Sequence, residues 1–255
     1  MRLIFLGTGT SMGIPVITCT CPTCTSSDPR DRHLRTSALI ETDAGKNILI
    51  DIGPDFREQI LREQITRIDT ILITHAHRDH VGGIDDIRPL NYAQRQRIPL
   101  YANPEAMHAI RHDYHYIFEE HIYPGLPEVE AHEVSGASSF VVDGETIVPI
   151  RAMHKTLPIL GYRIGRLAYI TDANYIEETE LEKLEGVDTM VINALRKDHH
   201  FSHFSLPEAL SVIEKIQPRE AYLTHVSHEF GLYEEISKEL PSNVHVAYDG
   251  LKITV

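Results

Sequence analysis

One stretch decides how this sequence is interpreted: Ile71-Leu-Ile-Thr74-His75-Ala-His77-Arg-Asp79-His80-Val-Gly-Gly83. An apolar run ends at Thr74, four potential metal ligands follow within six residues, and a Gly-Gly turn closes the loop. His75 and His77 project to the same side of an extended chain, whereas Asp79 and His80 follow a turn and can address a different point. One loop can therefore supply two adjacent metal ions, and such a cluster at a strand end is more typical of a metal site than of a solvated loop.

Three further candidate ligands lie elsewhere in the chain. His154, Asp172 and His225 each come directly after a run of residues that predicts an apolar strand. Taken singly, each has an ordinary explanation: a loop histidine, a helix N-cap in the case of Asp172, and a surface histidine. Three strand-end ligands in addition to the cluster make a joint metal site the better interpretation.

The three cysteines form a second cluster, Cys19-Thr-Cys21-Pro-Thr-Cys24. An odd number of cysteines within six residues is a poor disulfide framework and a good soft-metal site. A closed structural zinc site takes four ligands, so one must come from elsewhere. His228 is the first candidate for the fourth ligand, and His33 is its rival.

Composition limits the classes of function. The 255 residues are expected to form a single domain, 1–255, and their 42% apolar and 24% charged residues are ordinary for a globular protein. Lys and Arg number 24 against 37 Asp and Glu, a net charge of −13, which disfavours long nucleic acids and anionic membranes as partners. No run approaches the roughly 18 apolar residues of a membrane helix, and we expect a cytoplasmic protein with reduced thiols.

Periodicity predicts a layered α/β protein. Short apolar runs predict strands at Arg2–Leu6, Ala38–Thr42, Asn47–Asp51, Thr70–Thr74, Thr146–Ile150, Leu160–Ile164, Leu167–Thr171, Thr189–Ile192, Glu220–Thr224 and Lys252–Val255. Helical spacing predicts helices at Asp55–Gln64, Asp85–Gln96, Pro104–Glu120, Ile176–Leu184, Pro207–Ile216 and Tyr233–Leu240. This order of elements suggests two mixed sheets face to face with helices outside.

The full ligand pattern resembles that of the metallo-β-lactamase superfamily. The resemblance implies a four-layer αββα sandwich with a dinuclear site at one edge. It further implies that His75, His77 and His154 hold one divalent ion, that Asp79, His80 and His225 hold the other, and that Asp172 bridges them. The ion could be zinc, manganese, iron or nickel, because histidine and carboxylate ligands suit all four.

Other motifs resemble one branch of that superfamily, the phosphoribosyl 1,2-cyclic phosphate phosphodiesterases and their relatives. These motifs are Leu6-Gly-Thr-Gly9, the cysteine loop, His203-Phe-Ser-Leu-Pro-Glu-Ala and Thr224-His-Val-Ser-His228. The resemblance implies a metal-dependent phosphodiesterase that acts on a small cyclic or diester phosphate through a metal-bridging hydroxide. It also implies a structural zinc at the loop 19–24.

Four residues have candidate roles in that reaction. Asp79 lies beside the expected nucleophile and could orient it. His203 is the candidate general acid for the leaving oxygen, although a surface histidine is an equally good interpretation from sequence. Arg196 follows a predicted strand and could bind a substrate phosphate with its guanidinium fork, with a solvated loop arginine as the alternative. Arg35 is a weaker candidate of the same kind.

Three other functions compete with the phosphodiesterase. A tRNA 3′-processing endonuclease would have a basic surface and a long Gly/Pro-rich arm, and this chain has neither. A lactonase or thioesterase could use the same dinuclear site. A non-catalytic metal-binding module would be favoured by lost ligands, and none is lost. The expected partner is a small-molecule phosphate ester, and the sequence leaves a homodimer open.

Overall fold

Two mixed β-sheets form the centre of the molecule, which is a computed structural model that describes residues 1–119 and 125–255. The first sheet has the order β15-β1-β2-β3-β4-β5-β6, with β1 (Arg2–Gly7), β2 (Ser37–Glu41), β3 (Asn47–Ile50), β4 (Thr70–Leu72), β5 (Ile98–Ala102), β6 (Val129–Glu133) and β15 (Lys252–Thr254). Strands β3 to β6 are parallel, and the β1, β2 and β15 pairings are antiparallel.

The second sheet has the order β11-β8-β9-β10-β12-β13-β14, and β7 pairs with β8. Its strands are β7 (Phe140–Val142), β8 (Glu145–His154), β9 (Leu157–Ile164), β10 (Leu167–Ile170), β11 (Tyr175–Ile176), β12 (Thr189–Asn193), β13 (Glu220–Thr224) and β14 (Val244–Val246). Strands β10, β12, β13 and β14 are parallel.

Helices cover the outer face of each sheet. The helices are α1 (Phe56–Glu63), α2 (Arg78–Val81), α3 (Arg88–Gln94), α4 (Pro104–Asp113), α5 (Glu178–Leu181), α6 (Leu206–Ile216) and α7 (Tyr233–Glu239). Apolar side chains of α1 to α4 join one cluster with the first sheet, and those of α5 to α7 join another with the second. This arrangement confirms the predicted αββα sandwich.

The alternation of side chains along a strand explains the layers. In β1, Leu3 and Phe5 belong to the apolar cluster between the sheets, whereas Ile4 and Leu6 belong to the cluster under the helices. Successive residues of a strand point to opposite faces, so a strand buried on both sides is apolar throughout. That is why these strands are continuous apolar runs in the sequence.

All ten predicted strands are present, and the residues that the structure describes contain five further strands that the sequence did not predict. The missed strands are β5, β6, β7, β11 and β14. Strand β5 contains Pro99, which removes a hydrogen-bond donor, and β6 is rich in glutamate, so local propensity argued against both. The other three have only two or three residues and exist because a neighbouring strand pairs with them.

Three of the predicted helices have different bounds in the structure, and the first two lie between residues 84 and 117. The predicted helix Asp85–Gln96 is a 3₁₀ turn (Ile84–Ile87) followed by α3, because Pro89 cannot donate into a continuous helix. Helix α4 ends at Asp113 and a 3₁₀ turn follows, while Glu120 lies outside the described residues.

The predicted helix Ile176–Leu184 begins instead as a strand. Tyr175 and Ile176 pair with β8 as β11, α5 covers Glu178–Leu181, and a 3₁₀ turn (Glu182–Leu184) follows. The other predicted helices are confirmed within one residue at each end. Among residues 1–119 and 125–255, no helix is both long and apolar enough to cross a membrane.

Candidate metal centre

The candidate ligands gather where strands of both sheets end. His75 follows β4, His154 is the last residue of β8, Asp172 follows β10 and His225 follows β13. The carboxyl ends of these strands meet at one edge of the sandwich, the usual place for a ligand site in an α/β sheet.

The backbone turns sharply at two of these ligands. Asp172 and His225 have positive φ angles of 61° and 56°, a conformation that is uncommon for residues other than glycine. After Asp172 the turn is held by Asn193, whose side chain accepts a hydrogen bond from the Ala173 N–H at 2.8 Å and donates one to the Ala173 carbonyl at 2.9 Å. Such conformations often occur at functional sites, where the surrounding structure maintains them.

Four of the ligands form one tight group. The ligand atoms of Asp79, His80, Asp172 and His225 all lie within 4.8 Å of one another. His80 Nε2 is 3.3 Å from both Asp79 Oδ2 and Asp172 Oδ2, and His225 Nε2 is 3.0 Å from Asp172 Oδ1. This group contains every residue that the resemblance assigns to the second ion.

The remaining three histidines lie beside this group. The ring centroids are 4.6 Å apart for His75 and His77, 4.9 Å for His77 and His154, and 5.6 Å for His75 and His154. His154 lies within ligand distance of Asp172 and of His203, and these three residues form a second group that shares Asp172 with the first. The structure therefore brings all seven sequence-predicted ligands together, with Asp172 between the two sets.

Hydrogen bonds that lead to the buried carboxylate of Asp51 determine which ring nitrogen of His75 and of His80 faces the metal centre. Asp51 Oδ2 accepts from His80 Nδ1 at 2.7 Å and from Thr74 Oγ1 at 2.8 Å. Because the Thr74 hydroxyl donates to Asp51, it accepts from His75 Nδ1, which is 3.0 Å away. Both histidines therefore carry a proton on Nδ1 and direct Nε2 into the site, where a bound cation would take the place of any proton on Nε2.

Two further histidines are oriented in the same way. Thr36 Oγ1 donates to the Gly9 carbonyl at 2.7 Å, so it accepts from His225 Nδ1 at 3.0 Å. His154 Nδ1 is 2.9 Å from the carbonyl oxygens of Asp172 and Ser202 and donates to them. A metal-binding histidine almost always has such a partner for its second nitrogen.

Buried nitrogen atoms without partners show that the site fits a cation. His75 Nε2 is buried and has no hydrogen-bond partner among the described residues, and buried His80 Nε2 has only the Asp79 and Asp172 carboxylate oxygens near it, each at 3.3 Å. A buried polar atom without a partner is costly, and it is rare in a native fold unless a ligand supplies the partner. Together with the carboxylates of Asp79 and Asp172, these atoms form a donor set suited to divalent zinc, manganese, iron or nickel.

Burial and charge set the protonation of the site. Burial lowers the pKa of His75 well below its usual value and also lowers the pKa values of His77 and His225. Burial acts in the same direction on His80, but the carboxylates around it outweigh burial and raise its pKa well above the usual value. Burial opposes ionisation of Asp172, yet the adjacent histidines hold its pKa well below the usual range.

His203, the candidate general acid, lies at the centre itself. Its Nδ1 is 3.8 Å from Asp172 Oδ1, is buried, and has no hydrogen-bond partner among the described residues. Its ring centroid is 4.6 Å from that of His154 and 5.0 Å from that of His225. Burial, followed by the charge of His225, lowers the pKa of His203 to about 3, so the imidazole is neutral near pH 7.

The two candidate phosphate-binding arginines already have carboxylate partners. Arg196 Nη1 is 2.6 Å from Glu229 Oε2, and its Nη2 donates to the His199 carbonyl at 3.2 Å. Arg35 Nη2 is 2.7 Å from Asp55 Oδ1. A role for either in binding substrate phosphate stays a prediction.

The three cysteines meet a histidine from the far end of the chain. Cys19, Cys21, Cys24 and His228 form one group within ligand distance, and His228 Nδ1 is 3.3 Å from Cys19 Sγ and 3.4 Å from Cys21 Sγ. A hydrogen bond from the Cys24 N–H, helped by His228, lowers the pKa of Cys21 to about 6. Burial raises the pKa of Cys24 to about 11. Three thiols and one imidazole form the donor set of a closed zinc site.

His33, the rival fourth ligand, lies elsewhere in the structure. Its Nδ1 is 2.7 Å from Thr8 Oγ1, which in turn donates to Asp249 Oδ1 at 2.7 Å. Burial lowers the pKa of His33 to about 4. This geometry favours His228 at the cysteine cluster.

Sequence reasoning missed the residues that support the ligands. Asp51, Thr36 and Asn193 do not touch a candidate metal directly, and each acts through a neighbouring residue. A signal was present for two of them, because Asp51 and Asn193 are polar residues at the ends of buried strands. No local pattern marked Thr36, whose partner is 189 positions away.

Comparison with known proteins agrees with this geometry. Residues 46–226 match the family profile described as the beta-lactamase superfamily domain. A solved diphosphatase from the PhnP family is 41% identical, has a TM-score of 0.92, and aligns over 100% of this chain and 97% of its own. The chain therefore belongs to the beta-lactamase superfamily and, within it, to the PhnP family.

Of two other relatives, the first is a longer protein and the second has a more distant sequence. A Porphyromonas gingivalis protein named octanoyltransferase is 43% identical over 100% of this chain, which spans 52% of that protein's length. The Zn²⁺-bound PqqB of Methylobacterium extorquens is 19% identical, with a TM-score of 0.81 and full coverage of both chains. PqqB shows a shared fold only.

Proposed function

We propose that the protein is a metal-dependent phosphodiesterase that hydrolyses a small cyclic or diester phosphate. The observation that carries the proposal is the cluster of seven candidate ligands around Asp172, which lies within ligand distance of Asp79, His80 and His225 on one side and of His154 on the other, beside the buried and unpartnered Nε2 of His75. His75, His77 and His154 would hold one ion, Asp79, His80 and His225 would hold the other, and Asp172 would contact both. Ions bound there supply Lewis acidity, which activates water and polarises phosphoryl oxygens.

The chain's own residues then orient water and move protons. Asp79 belongs to the ligand group, with its Oδ2 3.3 Å from His80 Nε2, and its carboxylate can orient an attacking water molecule. The neutral His203 can accept at Nδ1 the proton that the attacking water loses, and can deliver that proton to the departing alkoxide oxygen.

Attack at phosphorus is favoured over attack at an acyl carbon. The PhnP-family relative that aligns with nearly the whole chain is a diphosphatase, so its reaction also takes place at phosphorus. The relative named octanoyltransferase is about twice as long as this chain, and the activity in its name belongs to the whole protein. Hydrolysis of a diphosphate is accordingly the second candidate function.

The remaining expectations form part of this proposal. The net charge of −13 fits a small substrate better than a long nucleic acid. We further propose one domain over residues 1–255, a cytoplasmic location, and a structural zinc ion bound by Cys19, Cys21, Cys24 and His228.

A metal-reconstitution assay tests the function. Protein stripped with a chelator would be reloaded with zinc, manganese, iron or nickel and assayed on bis(p-nitrophenyl) phosphate, ribose cyclic phosphates, a dialkyl diphosphate, a lactone and a thioester. We expect metal-dependent hydrolysis of the phosphate diesters, and hydrolysis of the diphosphate alone would favour the second candidate. Turnover of only the lactone or thioester would overturn the proposal.

A further inference from the structure

A groove leads away from the metal centre. A cavity of about 230 Å³ is lined by His75 and His77, and a second cavity of about 420 Å³ lies next to it. The linings of the two cavities share Asn103, Glu105 and Pro158, so the cavities are adjacent, and together they are called the groove. The larger cavity alone is within the size range of small-molecule sites.

Hydrogen bonds hold the shared wall in place. Asn103 caps α4 by accepting from the Ala106 N–H at 2.7 Å, and its Nδ2 donates to the Pro158 carbonyl at 3.2 Å. The Leu160 N–H donates to the Thr74 carbonyl at 3.0 Å and links β9 to the segment that carries His75. The groove is therefore formed before any ligand arrives, which reduces the entropic cost of binding.

The walls of the larger cavity are mainly apolar. They are formed by Ala152, Met153, Pro158, Ile159 and Leu160. Tyr175 also lines the cavity, and 54% of its surface is exposed. An exposed aromatic ring beside apolar walls can contact an apolar group and can also attract a cation to its face.

The charged residues of the groove are mostly acidic. Its lining includes Glu105, Glu177 and Glu180 against a single arginine, Arg151. Arg151 is already bound, because its Nη2 is 2.7 Å from Glu180 Oε1, and Lys183 Nζ lies 2.6 Å from Glu180 Oε2. Neither Glu105 nor Glu177 forms a salt bridge within residues 1–119 and 125–255. The carboxylates of Glu105 and Glu177 are therefore available to interact with a ligand.

We propose that this groove binds the alcohol half of the phosphodiester substrate, and that this half has an apolar body ending in an amine or quaternary ammonium. The phosphate would lie at the metal centre and the cation near Glu105, Glu177 and Tyr175. Carboxylates attract the cation and disfavour a second phosphate, while the tyrosine ring contributes a cation–π contact. This inference rests on the proposed function, since the phosphate position comes from it.

Two isosteric substrates show the effect of the substrate's positive charge separately from the effect of its shape. p-Nitrophenylphosphorylcholine and 3,3-dimethylbutyl p-nitrophenyl phosphate have the same shape and the same leaving group, and differ by one positive charge. We expect the metal-loaded enzyme to prefer the choline ester by about tenfold in kcat/KM, the effect of roughly 1.4 kcal/mol. An equal rate on both, or a preference for the neutral ester, would overturn the proposal.

Variants without the carboxylate charges or the tyrosine ring identify the residues responsible for the preference for the choline ester. The double variant Glu105→Gln/Glu177→Gln should lose the preference for the choline ester, and Tyr175→Ala should weaken it by a few-fold while Tyr175→Phe retains it. Glu182→Gln is the matched control, because Glu182 is exposed on the adjacent turn and does not line the groove. A preference that survives the double variant, or is lost in the control, would contradict the assignment.

A binding measurement separates this inference from the proposed function. Saturation-transfer NMR with choline and the purified protein reports contact without requiring turnover. We expect a signal that is lost in the Glu105→Gln/Glu177→Gln variant and kept in Glu182→Gln. If no phosphodiester is hydrolysed but this binding pattern holds, the proposed function fails and the cation site stands. If diesters are hydrolysed but choline does not bind, the groove assignment alone fails.

Discussion

The two candidate metal sites are built in opposite ways. The His/Asp centre draws its ligands from loops spread between His75 and His225, and most of their side chains are buried. The cysteine site takes three ligands from one short loop, and Cys19 and Cys21 are half-exposed. The first site thus depends on the packing of both sheets, whereas the second depends on one loop and a single distant histidine.

The difference indicates which site does chemistry. The His/Asp centre has a buried His75 nitrogen without a partner among the described residues and a cavity lined by His75 and His77, through which a substrate can reach it. The cysteine cluster has four ligands and leaves no position open, which is typical of structural zinc. The two sites still share one turn, because His225 and His228 are only three residues apart.

Removal of the shared carboxylate should have the largest effect. Asp172→Ala should reduce kcat on bis(p-nitrophenyl) phosphate by at least about 10³-fold, because both ligand groups lose a donor. Elemental analysis should show fewer metals at the centre and an unchanged zinc content at the cysteines. If Asp172→Ala kept both its metals and its rate, the centre would not be shared in this way.

His203→Ala should act selectively on poor leaving groups. Loss of a general acid should cost about 10²-fold on an alkyl diester and little on a p-nitrophenyl ester, whose leaving group hardly needs a proton. Rates on both substrates at equal metal content are the measurement. An equal loss on both would make His203 a positioning residue or a metal ligand, and no loss would leave it without a catalytic role.

Asp51→Asn tests the support beneath the centre. Asp51 fixes His80 directly and His75 through Thr74, so its loss should weaken metal affinity by about 10–100-fold. Activity should recover in part at higher metal concentration, which a purely structural defect would not allow. Metal titrations of the stripped variant and wild-type protein measure this shift, and identical curves would contradict the proposed role.

Cys21→Ser should alter stability rather than catalysis. We expect the Tm to fall by roughly 5–10 °C, the shift produced by about 2–3 kcal/mol in a chain of this size. The rate at 25 °C should stay within a few-fold of wild type, and one zinc ion should be lost. A large loss of activity at an unchanged Tm would contradict the division between a catalytic and a structural site.

Asp249→Asn should change the pH dependence of stability. Asp249 accepts hydrogen bonds from the Thr8 hydroxyl and the Leu34 N–H, and burial raises its pKa to about 7. Since this pKa lies above the unfolded value of about 3.9, the stability that Asp249 contributes is full below pH 3.9 and is lost as pH rises through 7.

The variant should therefore gain stability relative to wild type as pH rises. The difference should change by up to about 1.4 kcal/mol per pH unit between roughly pH 4 and 7. Urea denaturation at pH 5 and pH 7 measures it. Parallel pH profiles for the two proteins would show that Asp249 does not titrate in this range.

The spacing of residues along the sequence was enough to predict many of the strands and the two clusters of candidate metal ligands. The apolar runs predicted ten strands because strands buried on both faces are continuous apolar segments. The cluster from His75 to His80 and the loop from Cys19 to Cys24 were visible because each places several ligands within six residues. Ligand identity and spacing are local properties, so no fold was needed to recognise them.

Only the tertiary structure decided the long-range pairings. It brought His228 rather than His33 to the cysteines, Asp51 to His80 and Thr36 to His225. It also formed the groove between Glu105 and Glu177, two residues in separate elements with no shared motif. These contacts depend on how two sheets pair and pack across separations of tens to hundreds of residues, and local sequence periodicity carries no information about that register.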